Sequence, residues 1–104
     1  MFDLDSILDQ VHTPGNYNIS VPEYFNFGFD VIDSRAAERD KLAYISVDRS
    51  GENSSEYRYS DLSKASNRVA NVLRELDVEQ GAFAVVILPR IPAWYEVIVG
   101  CIKA

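Results

Sequence analysis

Phe83 to Leu88 reads Phe-Ala-Val-Val-Ile-Leu, apolar at every position, and no other stretch of the chain constrains its fold so tightly. A half-buried strand alternates apolar and polar residues. A strand that is apolar throughout needs cover on both faces, as in a sheet with helices packed on either side. A turn follows at Pro89-Arg90-Ile91-Pro92, with Pro92 where a first-turn proline belongs. Beyond it Trp94, Val97, Ile98, Cys101 and Ile102 recur at helical spacing up to the last residues. A finished helix usually carries Gly or Asn just past its last apolar residue, and here the apolar face simply continues to Ala104. The expectation is the opening segment of a longer chain, interrupted within or just after a helix.

Upstream, the pattern divides into residues 1–20, a first helix and loop, and residues 21–104. Phe2, Leu4, Ile7, Leu8 and Val11 form a short apolar pattern that ends at the turn signal Thr13-Pro14-Gly15-Asn16. Ser20-Val21-Pro22-Glu23 then offers a cap, a first-turn proline and an early acid. This predicts a helix from about Val21 to about Arg39 with Phe25, Phe29, Ile32 and Ala36 on one face. Gly28 in its middle costs about 1 kcal/mol against Ala.

Ala43, Ile45 and Val47 alternate with Tyr44, Ser46 and Asp48, the period of a strand with one face buried. Tyr57 and Tyr59 repeat the alternation beyond a polar loop containing Gly51, so an antiparallel hairpin is predicted. Leu62, Ala65, Val69, Val72, Leu73 and Leu76 then recur three or four apart in the clearest helix of the chain, which ends before Gly81. The predicted fold is α/β, with helices packed on a small sheet in the order antiparallel hairpin, helix, apolar strand, helix. The strand–helix–strand order implies a right-handed crossover.

With 104 residues, 47% of them hydrophobic, the chain suits one small folded domain. A net charge of −6 without a Lys/Arg cluster argues against nucleic acid or an anionic membrane as partner. Phe83–Leu88 is far too short for a membrane span, and the acidic start MFDLDSILDQ is unlike a signal peptide, so a cytoplasmic chain is expected. The single cysteine, Cys101, excludes an internal disulfide. Its place on an apolar helical face favours core packing over a nucleophile.

His12 is the only histidine and has no partner at metal-ligand spacing. Asp3, Asp5 and Asp9, or Asp30 and Asp33, suggest acid pairs, but acids near helix ends are usually solvated or stabilised by the helix dipole. The five glycines are scattered, so no phosphate-cradling loop is visible. Arg90, after the strand end, is an anion contact of the kind found at strand C-termini, although a solvent or structural role is favoured. The expected site is therefore empty of assignments: no catalytic, cofactor-binding or metal residue is named.

Three segments in order carry a resemblance: NFGFDVIDSRAAERDKLAYISVD (Asn26 to Asp48), YRYSDLSKASNRVANVLRELDVEQG (Tyr57 to Gly81) and VVILPRIPAWYEVIVGCIKA (Val85 to Ala104). The chain from about Val21 onward resembles the N-terminal part of AMP-forming acyl-CoA synthetases of the adenylating superfamily. Leu88-Pro89-Arg90-Ile91-Pro92-Ala93-Trp94 is most similar to the medium-chain fatty-acid branch. One departure stands at Gln80-Gly81-Ala82-Phe83, where the family usually has a Gly-Asp-Arg-Val type sequence.

The resemblance implies that residues 21–104 are the incomplete N-terminal portion of an AMP-binding large domain. The parent would be a two-step enzyme: a carboxylate attacks the α-phosphate of ATP to give an acyl-adenylate and diphosphate, and the CoA thiol then displaces AMP. ATP, magnesium and CoA belong to that parent. The family's phosphate loop, adenine motif, ribose-binding Asp and mobile-domain lysine have no counterpart here, so this segment is expected to bind no cofactor and to be inactive alone. Its expected partners are the remainder of the same polypeptide and, for the parent, a small carboxylic acid. Whether that acid is fatty, aryl or another is decided by later parts of such enzymes. The alternative reading is a free-standing α/β interaction module that uses the apolar Trp94 helix face for a partner or for self-association.

Overall fold

The computed structural model describes residues 5, 6, 8, 9, 15 and 20–104. Asp5, Ser6, Leu8 and Asp9 are helical, within the first helix expected from the sequence, and Gly15 lies in a turn. The remainder of that first helix and loop falls outside the described residues.

The second helix begins later than its apparent serine cap. Residues 20–26 are non-helical, and a π-helical turn, Phe27–Asp33, runs into α1, Ser34–Arg39. Asn26 displaces Ser20 as the cap because its side-chain carbonyl accepts from two orphan N–H groups, those of Gly28 (2.9 Å) and Phe29 (3.3 Å). Asp30 completes the start by accepting from the Asn26 N–H at 2.7 Å. The wider π turn also changes which residues face inward. Gly28, Val31 and Ile32 are buried, whereas Phe25 and Phe29, expected on the inner face, stand about half exposed.

Strands β1, Leu42–Val47, and β2, Ser54–Arg58, form the expected antiparallel hairpin, with Tyr44 opposite Tyr57 and Val47 opposite Ser54. Asp48 organises the connecting loop. Its carboxylate accepts from the Ser50 N–H (3.0 Å), the Ser50 hydroxyl (2.6 Å), the Gly51 N–H (2.9 Å) and the Asn53 amide (2.5 Å). Gly51 supplies the positive φ of 79° that the turn requires. The covered face of β1 is the one carrying Tyr44, which stacks on Tyr57 with centroids 4.8 Å apart. Ile45 and Val47 instead point outward at 52% and 57% exposure, the reverse of the face that their apolar character suggests.

Tyr59 does not extend β2; it opens α2, Tyr59–Glu75. Asp40 and Asp61 make that start. Asp40 accepts from the Ser60 N–H and hydroxyl, both at 2.8 Å, and Asp61 accepts from the Arg58 N–H at 2.8 Å. The helix stops well before Gly81, because Asp77 takes the left-handed conformation (φ 54°). The Val78 N–H then reaches the Leu73 carbonyl and the Asp77 N–H the Arg74 carbonyl, both at 3.0 Å, which is a complete Schellman closure. The buried face of α2 is Leu62, Ala65, Ser66 and Ala70, while Val72 and Leu76 lie exposed beyond the packed stripe.

Among the described residues Phe83–Leu88 forms no regular element and pairs with no strand; the described sheet contains only β1 and β2. The expected cover on both faces is missing. Val85 and Ile87 are 85% and 88% exposed, and only Val86 is half-buried. Helix α3, Pro92–Lys103, follows with Pro92 in its first turn as expected. Its packed stripe is Val99, Gly100 and Lys103, whereas Trp94 and Ile102, read from the sequence as part of the apolar face, stand exposed. The architecture is thus α/β, with Val31, Ile32, Leu62 and Val99 forming the core and Tyr44 and Tyr59 packed against it.

Candidate functional site

Two places gather polar and aromatic side chains. The first is an open cleft of about 640 Å³ between β1 and the start of α3. Tyr44, Leu88, Arg90, Trp94 and Tyr95 are among its lining residues, so the segment after the apolar strand does bring Arg90 to a concave surface. Aromatic rings form its floor: Tyr44 lies 5.0 Å from Tyr95, which meets Trp94 edge-on at 5.2 Å. The Tyr44 hydroxyl is buried and has no hydrogen-bond partner among the described residues. Burial, with Glu96 nearby as a lesser cause, pushes its pKa up to about 12.

The second place is a buried polar knot that the sequence reading missed. Lys103, 3% exposed, brings its ammonium to Asp33 Oδ1 at 2.5 Å and Asn67 Oδ1 at 2.8 Å. The Ser63 hydroxyl donates to the same Asp33 oxygen at 2.6 Å. The knot ties the π turn, α2 and α3 together; Gly28 makes room for Lys103, and Gly100 lets α3 approach α2. A Cβ on Gly28 would lie 2.9 Å from Lys103 Cε, and one on Gly100 would meet Val69 Cγ1 at 2.6 Å and the Ser66 carbonyl oxygen at 2.9 Å. Asn26 adds a further tie by donating to the Ile102 carbonyl at 2.8 Å, near the end of α3. A terminal lysine on an apolar helix gives no sequence signal for such a role, because its partners come from residues 36 and 70 positions away.

The other candidates separate. Asp30 caps the π turn and Asp33 holds Lys103, so the two acids are not paired with each other. Asp5 meets Arg35 at 2.7 Å, and that guanidinium holds its carboxyl below the usual range. Cys101 is a half-buried free thiol on α3. Asp3 and His12 lie outside the described residues. Among the described residues no three of His, Cys, Asp and Glu converge on a metal position, and no helix is long and apolar enough to cross a membrane.

What the geometry defines is a partial α/β unit held by a buried ion pair, with an uncovered strand and an open cleft. The model of the AMP-binding enzyme family matches residues 32–104. The chain belongs to that family. Its relatives are acyl-CoA synthetases: human acyl-coenzyme A synthetase ACSM3, mitochondrial, is 30% identical over 96 residues, and the mouse protein of that name is 36% identical over 97. Human acyl-coenzyme A synthetase ACSM2A, mitochondrial, is 36% identical over 91 residues. These alignments cover 81–85% of this chain and 16% of each relative, so the chain spans about a sixth of the length of the proteins it matches.

Proposed function

We propose that this chain is the N-terminal portion of an ATP-dependent, AMP-forming acyl-CoA synthetase, supplying scaffold layers of the large domain and no catalytic group. The observation that carries the reading is the unpaired Phe83–Leu88 segment. It is apolar throughout, its backbone joins no ladder, and Val85 and Ile87 are almost fully exposed. Such a segment requires sheet neighbours and an apolar layer above it. This chain spans 16% of its relatives, so in a whole synthetase the remaining polypeptide is what would have to supply both.

In the parent the carboxylate of a small organic acid attacks the α-phosphate of ATP, releasing diphosphate and leaving an acyl-adenylate. The CoA sulfur then attacks the acyl carbon and AMP departs. Among the described residues, the cleft does not fit a site for ATP, magnesium or CoA. The cleft offers one cation, Arg90, and the helix start beside it has Pro92 at its first position, which lacks an N–H. A triphosphate needs several converging donors. No step of the reaction is therefore assigned to a residue of this chain.

Titration calorimetry of the 104-residue chain with Mg-ATP, and separately with CoA, is expected to give no saturable heat, and incubation with Mg-ATP, CoA and a carboxylic acid together no acyl-CoA. Saturable nucleotide binding would overturn the scaffold reading. A second reading, a free-standing interaction module, is favoured by the exposure of Trp94 and Ile102 on α3. Sedimentation separates the two: the scaffold segment aggregates without a defined size through its uncovered apolar surface, whereas a module is a monodisperse, cooperatively unfolding monomer or dimer.

A further inference from the structure

We draw no further inference here: the strongest candidate, the exposed apolar side chains of Phe83, Val85 and Ile87 in the unpaired segment before α3, belongs to the scaffold reading already proposed, and nothing in the structure shows any other occupant covering them.

Discussion

Asp33→Ala removes the carboxylate that meets the Lys103 ammonium and leaves that charge, on a fully buried side chain, with the Asn67 carbonyl as its remaining hydrogen-bond acceptor. Breaking one side of a buried pair costs about 3–5 kcal/mol, since the surviving charge is neither solvated nor neutralised. The Asp33 side chain is 29% exposed, so water enters where the carboxylate stood, and the expected cost is about 3 kcal/mol, at the low end of that range. Lys103→Met is milder. The unbranched side chain keeps filling the space over Gly28, and Asp33 retains the Ser63 hydroxyl and its access to water, so about 1–2 kcal/mol is expected. The double variant should fall close to Lys103→Met alone, because the second change removes the charge whose isolation was costly. Urea unfolding followed by Trp94 fluorescence at low micromolar concentration orders the three variants. An Asp33→Ala protein as stable as Lys103→Met would refute the buried-charge argument.

Gly100→Ala should destabilise by about 1–3 kcal/mol despite the better helix former, because the new Cβ meets the Ser66 carbonyl and Val69 of α2; unchanged urea unfolding would show that the two helices can separate at little cost. Tyr44→Phe should be neutral or stabilising by up to about 1 kcal/mol, since it deletes a buried hydroxyl without a partner while keeping the stack on Tyr57; a clear loss would reveal a partner for that hydroxyl. The Asp48 carboxyl is lowered from 3.8 to about 2, first by the Ser50 hydroxyl and then by the Asn53 amide. A folded-state pKa below the unfolded one gives stability that is present above the ordinary value and lost as pH falls through about 2, so acid unfolding should steepen between those limits. Asp48→Asn should remove that part of the acid slope, which circular dichroism across the same pH range measures.

Much of the local organisation was readable from residue order. The hairpin followed from alternation on either side of a Gly-containing loop, α2 from its three-and-four spacing, and the start of α3 from a first-turn proline. These signals act within a few residues, so the sequence carries them whole. Element ends were less legible, because caps compete: Asn26 takes the helix start from Ser20 by offering a carbonyl to two N–H groups, and Asp77 adopts a left-handed conformation that usually marks Gly.

The candidate site was the least legible part. Arg90 follows the apolar run at a place open to an anion contact, although a solvent or structural role is favoured by the sequence, and the structure puts it beside a cleft. The Lys103 knot was not recognised, because its members are scattered at positions 33, 63, 67 and 103 and meet only when three elements pack.

By itself, then, the sequence determined the hairpin, the helices α2 and α3, a net acidic charge with a single cysteine, and the ordered resemblance that the family match supports. Periodicity, charge and caps are properties of neighbouring residues. Only the tertiary structure decided that Tyr44, not Ile45 and Val47, turns toward the helices, that Gly28 and Gly100 exist for close approach, and that a lysine lies inside. It also decided that Phe83–Leu88 stays uncovered. An apolar pattern states only that a face must leave water; which face is covered depends on which neighbour arrives, and that is settled by packing.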